Sequence, residues 1–79
     1  VAAHQVGSLI EDLDMFDIRS ALELIDNKDI RLVYESLMKG SRNHLRSFVK
    51  TLTQQGEIYS PIYLSQEDFD AIVTTPIER

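Results

Sequence analysis

Between Ile30 and Leu52 the chain reads IRLVYESLMKGSRNHLRSFVKTL, with apolar residues recurring three or four positions apart. The apolar positions are Ile30, Val33, Tyr34, Leu37, Leu45, Phe48 and Leu52. This spacing is that of one face of an α-helix, so the segment predicts a long amphipathic helix. Ser41 and His44 fall within the apolar stripe and not on its polar back. A polar pair turned inward in a helical bundle is typical of a satisfied hydrogen bond or of a ligand site.

The pattern as a whole predicts an all-α fold, an antiparallel helical hairpin with a tail strapped across the end of the bundle. The predicted elements are a helix over 3–25, a helix over 29–55, an extended tail over 57–65 and a short helix over 66–73, in one partial domain over 1–79. Asn27 or Asp29 can cap the second helix, and Gly56 is its predicted stop. Ser65 followed by Asp68 resembles a capping box that starts the last helix.

Size and charge limit what this chain can do. It has 79 residues, a formal net charge of −5 and no cysteine. Disulfides and thiolate metal sites are therefore excluded, and non-specific nucleic-acid binding is disfavoured. The apolar runs are too short to cross a bilayer, so we expect a soluble protein, either cytoplasmic or exported. The chain begins without an initiator Met, and the first helix is predicted to start almost at once, so we expect the chain to be a fragment or processed product of something longer.

The register of the hairpin follows from its turn. If the turn is centred between Asn27 and Lys28, apolar residues pair near the turn and polar residues pair together about 25 Å away, at about 1.5 Å of rise per residue. The level pairs are Ile25–Ile30, Leu22–Val33, Ile18–Leu37, Asp14–Ser41, Glu11–His44 and Gly7–Phe48. We therefore expect Glu11 and His44 to share a level in the interior of the bundle.

A carboxylate facing an imidazole across two helices has two interpretations. In the first, Glu11 or Asp14 fixes the tautomer of His44 and satisfies buried polarity, as in a purely structural or oligomerisation module. In the second, Glu11 and His44 are ligands of iron, manganese or zinc, with Asp14 and Ser41 supporting them directly or through water. Two ligands do not complete a metal site. A twofold dimer of hairpins, or a missing half of the same domain, would supply the rest.

The remaining apolar and charged residues predict which helix faces meet a partner and which meet solvent. A second apolar row on the first helix consists of Val6, Leu9, Ile10, Leu13, Phe16 and Leu24. One hairpin cannot cover both rows, so we expect a homo-oligomer or the missing half-domain as partner, with no nucleic acid and no membrane. The basic stripe of Lys39, Arg42, Arg46 and Lys50 is interpreted as a solvated face, and Asp12, Asp17 and Glu23 as surface charges.

Four stretches that span nearly the whole chain resemble a known family, and the run from Gly40 to His44 is the most specific of them. They are residues 9–14 (LIEDLD), 33–37 (VYESL), 40–48 (GSRNHLRSF) and 63–72 (YLSQEDFDAI). Together they resemble the ferritin-like family labelled domain of unknown function 2202. The resemblance implies that this chain corresponds to the C-terminal half of that domain, its third and fourth bundle helices plus the tail.

The resemblance also implies a site and an activity. Ferritin-like metal proteins take one Glu from each of two helices and a Glu-x-x-His motif from each of the other two. By position, Glu11 matches the third-helix Glu and His44 matches the histidine of the fourth helix. Ser41 stands where the motif would place its glutamate, which argues against classical di-iron oxidase chemistry and favours a mononuclear or asymmetric site. A role as a metal-dependent oxidoreductase is implied by this analogy alone.

Overall fold

The computed structural model describes residues 2–79, except the side chain of Ala2, and within that range it is all-helical and without strands. Its three helices are α1 (Ala2–Leu22), α2 (Lys28–Gln54) and α3 (Gln66–Val73). The first two pack against each other as an antiparallel hairpin, and α3 packs on α2. The all-α prediction is therefore confirmed.

The residues expected to begin and end helices do so. The side chain of Asn27 accepts hydrogen bonds from the backbone amides of Asp29 at 2.9 Å and Ile30 at 3.1 Å, and so starts α2. Gly56, with φ of +77°, takes the left-handed conformation that stops a helix at low cost. Ser65 accepts from the amide of Asp68 at 3.1 Å and starts α3. These capping interactions are local, which is why the sequence predicts them.

The end of α1 differs from the prediction. The helix stops at Leu22 and not at residue 25. Arg31 explains the difference, since its Nη1 donates to the carbonyl oxygen of Leu22 at 2.6 Å and to that of Ile25 at 3.4 Å. A side chain from α2 thus satisfies carbonyl groups at the end of α1, and the chain leaves the helix early to form the turn.

The hydrophobic core lies on one side of the hairpin. Its buried members are Met15, Leu45, Leu52, Tyr59, Leu64 and Phe69. The other edge of the apolar stripe on α2 is uncovered, with Val33 57% and Leu37 52% exposed. On α1, the exposed residues Ile10 and Asp14 lie roughly opposite the buried side. We call these four residues, together with His44, the open face.

The tail does not cross the end of the bundle as predicted but lies along α1, fastened by Asp12. This carboxylate is 0% exposed, so its interpretation as a surface charge is wrong. Its Oδ2 accepts from the hydroxyl of Tyr59 and the amide of Ile62, both at 2.7 Å, and from the amide of Tyr63 at 3.3 Å. Its Oδ1 accepts from the amide of Leu64 at 2.7 Å. Burial raises the pKa of Asp12, but these hydrogen bonds outweigh it, and the pKa lies below its usual value.

The C-terminal segment returns to α2 and is held there by Glu78. Arg42 donates to the two carboxylate oxygens of Glu78 at 2.5 and 2.7 Å, and Arg46 donates to one of them at 2.8 Å. The side chain of Asn43 bonds the backbone carbonyl and amide of Glu78 at 2.8 and 2.9 Å. The interpretation of the basic stripe as a solvated face is therefore wrong for Arg42 and Arg46, because sequence periodicity does not show a distant acidic partner.

Replacing Asp12 by Asn tests its role as an anchor. The substitution replaces one carboxylate oxygen by an NH2 group, which cannot accept the hydrogen bonds that the backbone amides and Tyr59 donate. We therefore expect a loss of unfolding free energy on the order of 2–4 kcal/mol. Asp17→Asn, an exposed change on the same helix, is the control and is expected to stay within about 0.5 kcal/mol of the parent protein. Urea unfolding followed by circular dichroism measures both variants. Equal stabilities would refute the anchoring role.

The Glu78 contact predicts a pH dependence. Hydrogen bonds from Arg42 and then Arg46 lower the pKa of Glu78 from 4.5 to about 2. Because the pKa of Glu78 is lowered in the folded protein, the stabilisation that its carboxylate gives to the C-terminal segment is fully present above pH 4.5. It is lost as the pH falls through about 2. We expect exchange protection of the Glu78 amide to follow this course in NMR, and to be weak at every pH in Glu78→Gln. Unchanged protection in that variant would show that the carboxylate does not hold the segment.

Candidate functional site

The predicted hairpin register is confirmed at two levels. Glu11 Oε2 lies 3.0 Å from His44 Nδ1. One turn earlier on α1, a Cβ placed on Gly7 would lie 3.0 Å from ring atoms of Phe48. The missing side chain of Gly7 therefore makes room for the Phe48 ring. The two contacts lie one helical turn apart on both helices, as a level pairing requires.

The two members of the Glu11–His44 pair have different surroundings. The Glu11 side chain is 11% exposed, because it lies between the two helices. The His44 side chain is 68% exposed on the open face, so the expectation that both would be interior is wrong for His44. The apolar stripe of α2 is wider than one hairpin can cover, and His44 lies on its uncovered edge.

The hydrogen bond determines what the imidazole can offer. With the proton on Nδ1, the ring donates to Glu11 and keeps its Nε2 lone pair for another partner. This is the arrangement by which carboxylates orient metal-ligating histidines. The same geometry is complete in itself as a simple hydrogen bond. The pair therefore permits both interpretations made from the sequence.

Among the described residues, no hydrogen bond joins Asp14 to Ser41, and their surroundings differ. Ser41 is buried at 8% exposure, whereas Asp14 is exposed on the open face. Asp14 lies about one turn after Glu11 along α1, so it is on the part of the open face nearest the Glu11–His44 pair. Ser41 lies towards the core.

Within residues 2–79, no three His, Asp or Glu side chains come together as a group able to hold a metal ion. A groove of about 850 Å³ between the second half of α2 and the C-terminal segment is lined by residues that include Val49, Lys50 and Val73. Its lining contains no histidine or carboxylate, so it is unrelated to the Glu11–His44 pair. The described residues therefore bring together two side chains of the types that bind metal ions, Glu11 and His44, and a complete metal site needs more.

The sequence interpretation missed Asp12, which adjoins Glu11. Its only sequence signal is its spacing from Ser8 and Met15, which places the three residues on one face of α1. All three are buried. Two of them are polar, so a search for apolar periodicity does not find this face.

The architecture defines a small all-helical protein built on a hairpin. Residues 1–76 match the family described as Uncharacterized protein domain (DUF2202), and the chain belongs to that family. It is 48% identical over 79 residues to the uncharacterized protein MJ0754 of Methanocaldococcus jannaschii, covering 100% of this chain and 43% of the relative. The chain thus spans less than half the length of this relative.

A solved structure shows the same fold. The crystal structure of the hypothetical protein MJ0754 from Methanococcus jannaschii matches with a TM-score of 0.94 and 47% identity. The match covers 96% of this chain and 43% of that one. Separately, none of the helices in residues 2–79 has the length and apolar character needed to span a membrane.

The exposure of His44 predicts a small contribution to stability. We expect His44→Ala to lower the unfolding free energy by about 1 kcal/mol, the usual contribution of one hydrogen bond, because the imidazole is exposed although the Glu11 carboxylate is not. Leu45→Ala is the comparison, because Leu45 is the next residue along α2 and its side chain is fully buried. For this variant we expect a loss of about 2–5 kcal/mol of unfolding free energy. Thermal and urea unfolding measure both. A large loss for His44→Ala would mean that the pair is chiefly structural.

Proposed function

We propose that this chain is a ferritin-like helical-bundle protein that binds a divalent metal ion, iron, manganese or zinc, through Glu11 and His44. The observation that carries the proposal is the 3.0 Å approach of a carboxylate and an imidazole from facing helices. The pair opens onto a face that the chain itself leaves uncovered.

The chemistry of the pair supports this proposal. Imidazole nitrogen and carboxylate oxygen are ligands that these metals accept without thiolates. Glu11 and His44 could both ligate one ion if that ion took the place of the proton that His44 Nδ1 shares with the Glu11 carboxylate. An ion on Nε2 would instead be held by His44 alone, on the far side of the ring, and Glu11 would orient the imidazole. Asp14, exposed one turn away, can contribute directly or through water.

Two ligands from one chain fall short of the three that open metal sites normally take from protein. The remaining ligands must come from helices beyond this hairpin. In ferritin-like proteins the ligands come from four helices, and this hairpin would supply two of them. The relative MJ0754 is more than twice as long as the part matched here, so it has chain available for two more helices. The hairpin would then be half of a four-helix bundle, the C-terminal half in the family's order. An oxidoreductase activity would further need a redox metal with an open coordination position.

The alternative is a structural or oligomerisation module without a metal. The 68% exposure of His44 favours it, because a solvated imidazole needs no buried ligand role to explain its presence. In that case Glu11 is satisfied by one hydrogen bond, and the open face serves only for packing.

Cobalt(II) titration separates the two functions. The protein, purified without an affinity tag and together with the helices that complete the bundle, is titrated with Co²⁺, and the visible absorption bands report nitrogen and oxygen coordination. We expect Glu11→Gln and His44→Ala each to weaken binding at least tenfold, because each removes a ligand. Glu35→Gln is the matched control, since Glu35 is an exposed α2 carboxylate next to Arg31, and it should bind like the parent protein.

Metal analysis of the same preparations gives a second measurement. Stoichiometric iron, manganese or zinc in the parent protein that is absent from both ligand variants supports the metal site. Folded, metal-free protein whose weak Co²⁺ binding is equal in all four forms would refute it and leave the structural module.

A further inference from the structure

We propose that Phe48 is a spacer that sets the distance between α1 and α2 at the Glu11–His44 pair. Its ring packs against the backbone of Gly7. Phe48 would then be a positioning residue for the two candidate ligands, and its effect on metal affinity rests on the proposed function. Its effect on the distance between the helices depends only on the contacts of its ring, and is measured without a metal.

The ring of Phe48 spans the gap between the two helices. A Cβ placed on Gly7 would lie 3.0 Å from Cε2 and Cζ of this ring and 3.1 Å from Cε1. These are the three ring atoms furthest from the backbone of Phe48, so the far end of the ring faces α1. An aromatic side chain is rigid from Cβ to Cζ, unlike the flexible side chain of a methionine. It therefore holds the two backbones apart at a nearly constant distance.

Gly7 is the residue that allows this contact. A glycine inside a helix is unfavourable, because it loses more conformational freedom on folding than alanine does. Gly7 lies within α1, where alanine would form a better helix. Carbon atoms in ordinary contact are about 3.5–4.0 Å apart, so a methyl group 3.0 Å from the ring would overlap it. The approach of Phe48 therefore gives a physical reason for a glycine at this position.

His4 restricts the ring of Phe48 on one side. It precedes Gly7 by about one turn of α1, and its ring packs edge-on against the Phe48 ring, with centroids 6.0 Å apart and planes at 71°. The Nδ1 atom of His4 is buried, so this contact is enclosed. The Glu11–His44 pair lies about one turn away in the opposite direction. A methyl group on Gly7 would therefore displace the ring away from α1 or towards the pair.

A change of spacing at Phe48 reaches the Glu11–His44 pair because the two levels are one helical turn apart on both helices. Over one turn an α-helix moves as a unit, so the two levels do not separate independently. Glu11 Oε2 and His44 Nδ1 are 3.0 Å apart. Hydrogen bonds of this type extend to about 3.2 Å, so a widening of about 0.5 Å would break this one. Metal ligands must likewise be held within about 0.5 Å of their working geometry.

Nitrogen NMR of labelled histidine side chains measures the pair directly. The protein carries the helices that complete the bundle, as in the Co²⁺ titration, and His44→Ala assigns the His44 signal. At alkaline pH, where imidazoles are neutral, the nitrogen shifts report which ring nitrogen holds the proton. We expect Nδ1 in the parent protein. In Gly7→Ala we expect the ratio of the Nδ1–H form to the Nε2–H form to fall about fivefold, because one hydrogen bond is lost.

The same variants are titrated with Co²⁺. We expect Gly7→Ala to bind about tenfold more weakly, the lower end of the loss that follows when a metal-ligating histidine is no longer correctly oriented. Gly40→Ala is the matched control, because it is the same substitution inside α2. A Cβ on Gly40 would meet no atom of the described residues within 4 Å, apart from its own helix. We expect this control to give the NMR signal and the Co²⁺ affinity of the parent protein.

A second substitution tests for rescue. Leucine lacks the three distal ring atoms of Phe48, so Phe48→Leu makes room for the methyl group of Gly7→Ala. We expect the double variant to regain the proton on Nδ1 of His44. If Gly7→Ala alone does not fold, Phe48→Leu alone decides the matter. It removes the spacer, and we expect it to lose the preference for the Nδ1–H form.

The outcomes separate the spacer from the metal. A loss of the Nδ1–H form in Gly7→Ala that the double variant restores supports the spacer. An unchanged His44 signal in Gly7→Ala overturns it, as does an unchanged signal in Phe48→Leu, or a loss that Gly40→Ala shares or that the double variant does not restore. A parent protein that binds no Co²⁺ but shows the expected NMR changes supports the spacer and refutes the proposed function. Co²⁺ binding that needs both Glu11 and His44, with an NMR signal and an affinity that Gly7→Ala leaves unchanged, refutes the spacer and leaves the metal function.

Discussion

The structure depends on one buried carboxylate, that of Asp12. An ionised carboxylate enclosed by protein costs several kcal/mol unless hydrogen-bond donors surround it. The segment between α2 and α3 has the opposite need, because its backbone amides lack the partners that a helix or strand would give. Asp12 accepts hydrogen bonds from three of those amides and from the hydroxyl of Tyr59. The carboxylate thereby gains the donors it needs, and the amides gain an acceptor. The same contacts bring the rings and side chains of this segment into the core.

This anchor gives the hairpin two unlike sides. One side is closed by the extended segment, by α3 and by the C-terminal segment held at Glu78. The other side is left with apolar side chains and the Glu11–His44 pair. Glu11 and Asp12 are consecutive, so their side chains point about 100° apart around α1. Fixing Asp12 towards the segment therefore turns Glu11 towards α2. Two neighbouring carboxylates acquire different roles because one faces backbone amides and the other faces an imidazole.

The parts of this fold that were predictable from the sequence are those set by local physics. The caps at Asn27 and Ser65 and the stop at Gly56 follow from residue type and from neighbours within a few positions. The register that joins Glu11 to His44 follows from the position of the turn and the rise of the helix. Asp12 was not predictable in this way, because its partners are mostly backbone amides some fifty residues away, and an amide carries no residue identity. The exposure of His44 was missed for another reason, since an apolar stripe shows what a helix can bury and not how much of it the same chain covers.

Residues 41–46 of α2 explain why this stretch cannot be assigned a single role from its composition. Ser41 and Leu45 face the core, Arg42 and Arg46 hold Glu78, and His44 faces the open side. Each successive side chain is turned by about 100°, so fewer than two helical turns place side chains in three different environments. These surroundings share one rigid backbone. The contact at Glu78 holds the C-terminal segment against the same turns of α2 that carry His44. A shift of this part of α2 would therefore move both contacts together.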